Sequence, residues 1–265
     1  MKKVIYILIA IITLSFASHA QNDTMYIMKA GVITAKYHVT NQMDSIIFYK
    51  PTTNNNITTV TDASGNTYKT ITIGTQTWMA ENLRSTKYSD GTTISLITDA
   101  TQWAANYNNN TTLPMMSWYN NDQATHTANK YGALYNWYAV SPITNGNKNV
   151  CPTGWHVPTD AEWTILIDYL GGSSAAGGKM KSTGTQYWNC PNTGATNEIG
   201  FSGLPGGVRI IDGTFGYIGE NGNWWSSTET NTDNAWYRRL YYDFGNVYRS
   251  DDSKRAGFSV RCLRN

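Results

Sequence analysis

Charge is scarce in this sequence. Asp, Glu, Lys and Arg supply 14% of its 265 residues, against about a quarter in ordinary soluble domains. A solvated disordered chain needs charge and avoids aromatics, so it is excluded. A coiled coil needs charged flanks along sustained heptads and is excluded too. A basic excess is also missing. The 20 Lys+Arg nearly match the 18 Asp+Glu, which removes the electrostatic footprint of a nucleic-acid binder. Cysteine is limited to Cys151, Cys190 and Cys262. No Cys-x-x-Cys or His-x-x-x-His spacing offers a metal ligand set. Only one long apolar run occurs, at the N-terminus, so no spanning helix is expected after it. What the chain has instead is 10 Trp, 18 Tyr and 27 Asn. That is the profile of an extracellular β-rich domain.

Residues 1–20 read as an export signal. Lys2 and Lys3 form a basic start, Val4 to Phe16 an apolar stretch, and Ser18-His19-Ala20 a small-residue cleavage site before Gln21. The apolar stretch is too short for the ~20 residues that a bilayer requires. Cleavage takes two bases and no acid, so 20 bases become 18 against 18 acids. The mature protein is therefore formally neutral, exported, and secreted or held at the cell surface. In that compartment a disulfide is expected among the three cysteines, with one thiol left over.

The export signal is followed by a small β unit at 21–50, with strand-like runs at Thr24–Met28, Val32–Tyr37 and Ser45–Tyr49. Pro51 to Thr61 is rich in Thr and Asn and reads as a linker. The main domain, 62–265, opens with a hairpin. Asn66–Ile73 and Gln76–Met79 flank a Gly74-Thr75 turn. Residues 158–171 predict an amphipathic helix. Thr159 and Glu162 make a capping box, and Trp163, Leu166, Ile167 and Leu170 line one face before Gly171 ends it. From Gly200 the pattern turns to short strands: Trp224–Thr228, Ala235–Tyr242, Val247–Arg249 after a Gly245-Asn246 turn, and Gly257–Leu263.

The 235–242 strand alternates. If Trp236 and Leu240 face the core, then Tyr237, Arg239 and Tyr241 point outward, with Tyr248 and Arg249 returning beside them. Tyr and Arg are the residues that dominate binding hot spots, so these five form the candidate ligand-binding set. Trp155, Trp163, Trp225 and Trp236 are assigned to packing.

Several motifs carry a family resemblance. In order they are Thr77–Leu83 (TWMAENL), Tyr131–Tyr138 (YGALYNWY), Cys151–Pro158 (CPTGWHVP), Gly203–Gly207 (GLPGG), Trp224–Glu229 (WWSSTE) and Gly257–Cys262 (GFSVRC). From about Asp62 onward the chain resembles the Fibrobacter succinogenes major paralogous domain, FISUMP. That resemblance implies an α+β, C-type-lectin-like fold with short antiparallel strands and one or two helices. This fold is related to the formylglycine-generating domains. The small β unit at 21–50 would precede it.

The resemblance also implies a disulfide between Cys151 and Cys262, leaving Cys190 free, and a first hairpin that shares a sheet with the closing strand. Formylglycine-generating chemistry needs a cysteine pair near the C-terminus, where only Cys262 stands. Calcium-dependent lectins use Glu-Pro-Asn or Gln-Pro-Asp and then Trp-Asn-Asp, and neither appears at the matching places. Calcium could draw on Asp243, Asn246, Asp251 and Asp252, but a polar turn accounts for them equally. His156 reads as a structural imidazole bonded to backbone, and His126 as a solvated loop residue. No catalytic constellation assembles. The expectation is a non-enzymatic binding module for a glycan or protein ligand, with no cofactor and no nucleic-acid partner. A structural cell-envelope or appendage component is the alternative, and an enzyme the third reading.

Overall fold

A computed structural model describes residues 58–109 and 111–265, and before them the backbone of Thr24–Lys29 and Val32–His38. The chain divides into two compact units, Met1–Asn54 and Asn55–Asn265. In the first, β1 (Thr24–Lys29) and β2 (Val32–His38) pair antiparallel, with a register shift at Ile27/Met28. The third strand-like run, Ser45–Tyr49, and the export segment lie outside the described residues.

The second unit is mostly strand. In chain order it holds β3 (Thr59–Thr61), β4 (Thr67–Ile73), β5 (Gln76–Met79), β6 (Ser95–Leu96), β7 (Met115–Ser117), β8 (Leu134–Tyr135) and β9 (Trp155–His156). There follow β10 (Gly206–Arg209), β11 (Phe215–Ile218), β12 (Asn221–Glu229), β13 (Asn234–Tyr241), β14 (Val247–Ser253) and β15 (Leu263–Arg264). Its α-helices are α1 (Ala100–Asn108), α2 (Gln123–Ala128), α3 (Trp137–Val140), α4 (Asp160–Tyr169) and α5 (Ser173–Met180).

Five helices stand where one or two were expected. Three of the extra ones carry a legible signal: Asp99, Asp122 and Asn136 each cap a helix by accepting a backbone N–H of its first turn. The expected helix is α4, and its Thr159–Glu162 capping box is complete. The linker also ends sooner than its composition suggested. Thr59–Thr61 pairs with β4 as a strand, because β-branched Thr suits a pleated edge as well as a loop.

The predicted hairpin forms, with Gly74 at φ 61° in its turn. The closing strand then joins it. Leu263 of β15 lies opposite Trp78, and the five-stranded order is β3-β4-β5-β15-β9. The Met79 and Leu83 amides donate to the Cys262 and Val260 carbonyls, at 2.9 and 2.8 Å. Cys151 and Cys262 are bridged, with Cα atoms 5.9 Å apart, and Cys190 is an exposed free thiol.

Two hydrophobic clusters result. One gathers Tyr135, Trp137, Trp225, Tyr237 and Phe258. The other gathers Trp78, Trp163, Trp188, Phe201, Trp224 and Leu240. Six cations are buried with them: Lys181, Arg209, Arg238, Lys254, Arg255 and Arg261. These hold loops by their carbonyl oxygens. The Arg261 guanidinium, for example, donates to the Phe201 carbonyl and to Asn82 Oδ1. Much of the chain's small positive complement is thus structural.

Helix α5 contradicts propensity, since Gly177 and Gly178 sit inside it. Packing explains them. A Cβ at Gly178 would lie 2.1 Å from the Gly194 carbonyl oxygen, and one at Gly177 would lie 2.4 Å from that of Asn246. Gly178→Ala should therefore destabilise by about 1–3 kcal/mol or more, although helix propensity alone favours alanine by nearly 1 kcal/mol. Denaturant titration decides this, and a gain in stability would show that the two backbones can separate.

Candidate functional site

The sheet β12-β13-β14 is antiparallel, with Arg239 opposite Asn223 on one side and Tyr248 on the other. Opposed residues share a face. Asn223, Tyr237, Arg239, Tyr241, Tyr248 and Asp252 therefore stand on one face. Trp236, Arg238, Leu240, Val247, Arg249 and Asp251 stand on the other. Neither face is open along its whole length: Trp225 and Tyr237 enter the first core, while Trp224 and Leu240 enter the second.

That arrangement corrects the predicted binding set. Tyr237 is only 2% exposed, packed 4.7 Å from Phe258 and 6.1 Å from Trp225 between ring centroids. It floors the face instead of presenting a free surface. Arg249 lies on the opposite face, over the Trp236 ring at 3.3 Å, and binds the Asp160 carboxylate. Trp236 is correspondingly half-buried under a cation, not a core residue. Alternation assigned these residues wrongly because it presumes one dry and one wet face. This sheet has a core on each side. Arg239, Tyr241 and Tyr248 remain together on one face.

Phe244, which sequence reasoning missed, completes the group. Tyr241, Phe244 and Tyr248 meet edge to face, with centroids 5.1 to 6.3 Å apart and interplanar angles of 77 to 87°. Phe244 is 49% exposed and Tyr248 37%. An aromatic in the Asp243-Phe244-Gly245 turn, where burial is scarce, was the available signal. Arg239 lies 5.0 Å from the Tyr237 ring centre and 5.5 Å from that of Tyr241. Its Nε donates to Asn223 Oδ1 and its Nη1 to the Tyr241 hydroxyl, each at 2.8 Å.

The turn bearing Phe244 is fastened from beneath. Lys181 Nζ donates to the carbonyls of Thr193, Tyr241 and Phe244 at 2.8, 3.0 and 2.9 Å. The Gly178 amide donates to Gly245 O. Burial pushes the Lys181 ammonium down to about 8, and nearby Asp243 opposes that shift. The backbone of the turn that carries Phe244 is thus held in place from Lys181 and Gly178.

The remaining candidates scatter. Asp251 and Asp252 are neighbours on β14 and point to opposite faces, so they cannot share one ion. Asp251 accepts from Asn234 Nδ2 at 3.0 Å. Among the described residues no group of three or more His, Cys, Asp or Glu is gathered as a metal site. His156 bonds side chains and not backbone: Nε2 meets the Glu162 carboxylate at 3.0 Å and Nδ1 meets Asn265 Oδ1 at 2.7 Å. His126 is not solvated. It is 5% exposed in α2, flanked by the rings of Tyr119 and Tyr131, and burial lowers its pKa. Its position on a short capped helix puts it inside, where a loop reading would leave it wet.

The family model of the Fibrobacter succinogenes major domain matches residues 71–264, and the chain belongs to that family. No curated protein and no solved structure matches the chain.

Proposed function

We propose that this member of the Fibrobacter succinogenes major domain family is an exported, non-enzymatic binding module that takes a glycan or protein ligand on the β13–β14 face. Its second unit would be a C-type-lectin-like domain. The capped α4 following Cys151, the Cys151–Cys262 bridge and the hairpin joined by the closing strand all support that assignment. No described helix is long and apolar enough to cross a membrane.

One observation carries the binding reading: three aromatic rings, two of them exposed, meet edge to face next to Arg239 and a turn whose backbone Lys181 clamps. Rigid rings offer large contact area at little entropic cost.

The mature chain can be screened against arrayed glycans and against proteins from a cell-surface extract. Phe244→Ala/Tyr248→Ala should lose bound signal by about 30-fold or more, as hot-spot truncation does. The melting temperature should stay nearly constant, since exposed side chains contribute about 0.5 kcal/mol or less. Ligand retention by that variant at full strength rejects the face as the binding site.

A further inference from the structure

We propose that the ligand of this face is a neutral carbohydrate, held without a metal ion between the Arg239 guanidinium and the Asp252 carboxylate and stacked on the Tyr241, Phe244 and Tyr248 rings. The assignment rests on the binding reading above and narrows it to one chemical class.

Asp252 stands opposite Ala235, two ladder positions from Ser250 opposite Tyr237 and four from Tyr248 opposite Arg239. Asp252 and Arg239 therefore occupy the same face. They attract one another across it, yet they stay farther apart than an ion pair. Both have hydrogen-bonding capacity left. Arg239 commits Nε to Asn223 and Nη1 to Tyr241, and its Nη2 has no hydrogen-bond partner among the described residues. Among those residues the Asp252 carboxylate accepts from the Ser253 amide alone, at 2.7 Å. Neither group is among the buried atoms left without a partner, so both reach solvent, where a ligand can meet them.

The chemistry of a fitting ligand follows from these two groups. A hydroxyl both donates and accepts. A pair of adjacent hydroxyls could give one proton to Asp252 and accept from Arg239 Nη2, satisfying both without adding charge. A carboxylate would suit Arg239 and be repelled by Asp252, and an ammonium the reverse. The adjoining rings would cover the C–H face of a sugar ring. Asp251, which a shared cation would need, points away.

The test uses the mature chain with gluco-, galacto-, manno- and xylo-oligosaccharides, titrated calorimetrically in EDTA. At least one should bind. Asp252→Asn should weaken that binding on the order of 10-fold or more at unchanged melting temperature. Arg239→Lys, which keeps charge but loses the fork, should do the same and serves if Asp252→Asn proves unstable. Failure of every oligosaccharide to bind in EDTA, or binding restored only by added Ca²⁺, overturns the assignment. A protein ligand lost in Phe244→Ala/Tyr248→Ala but indifferent to Asp252→Asn also overturns it, while leaving the binding reading intact. Oligosaccharide binding that ignores Phe244→Ala/Tyr248→Ala removes both.

Discussion

Asp160→Ala should destabilise the protein by about 3–5 kcal/mol, the cost of leaving a buried charge without its partner. Asp160 opens α4 and accepts from two arginines. Arg238 Nη1 approaches its Oδ1 at 2.7 Å, and Arg249 Nη2 its Oδ2 at 2.9 Å. Arg238 is 1% exposed, and its Nε has no hydrogen-bond partner among the described residues. Without the carboxylate, that guanidinium would keep only neutral acceptors: the Asp160 carbonyl, Thr164 Oγ1 and, at 3.5 Å, the Tyr237 carbonyl. The melting temperature should fall on the order of 10 °C for a domain of this size. Arg249→Ala, which removes the more exposed partner, should cost far less. Equal losses for the two variants would show that the buried charge is not what matters.

The same pair gives an acid dependence with a definite sign. Burial works against the Asp160 charge, but the hydrogen bonds from Arg249 and Arg238 outweigh it and hold the carboxyl below the ordinary aspartate range. A folded-state pKa below the unfolded value stabilises the protein above the unfolded pKa, near 4. That contribution disappears as pH falls through the folded value. Asp160→Asn should therefore flatten the acid limb of stability against pH. A wild-type profile and an Asp160→Asn profile that run parallel below pH 4 would contradict this.

The second large effect concerns the bridge. Cys151→Ser/Cys262→Ser should cost about 2–5 kcal/mol. The two residues are 111 apart in sequence, so the bridge closes a long loop in the unfolded chain. For a loop that long, chain entropy alone suggests nearly 5 kcal/mol. Both sulfurs are buried in the first core, beside Val260 and Trp155. Reductant should consequently act only as the protein unfolds, lowering the melting temperature of the wild type but not of the double variant. Cys190→Ser should leave stability unchanged, because that thiol is exposed and unpaired. A double variant that melts with the wild type would mean the cores hold the closing segment unaided.

Some of this architecture is written locally. The β4–β5 hairpin depends on one glycine turn, and α4 on its capping box and apolar stripe, so adjacent residues suffice to specify both. The missed caps at Asp99, Asp122 and Asn136 were equally local. Asp99 and Asp122 were hidden by polar surroundings that read as loop, and Asn136 by an aromatic run, 131–140, that suits a helix and a strand equally. By contrast, α5 runs against local preference, and only the approach of Gly194 and Asn246 accounts for its glycines.

The candidate face divides in the same way. Sequence alone placed Arg239 and Tyr241 on one side of a strand, because a strand's side chains alternate with a period of two whatever surrounds it, and set Tyr248 beside them across an antiparallel pair. Which side is wet is not a local property. It depends on what packs above and below, and here one core takes Tyr237 while another takes Leu240. Tertiary structure thus buried Tyr237, turned Arg249 to the far side with Asp160, and set Phe244 against Tyr241 and Tyr248. Periodicity fixes relative orientation along one strand, whereas burial is set by the rest of the chain.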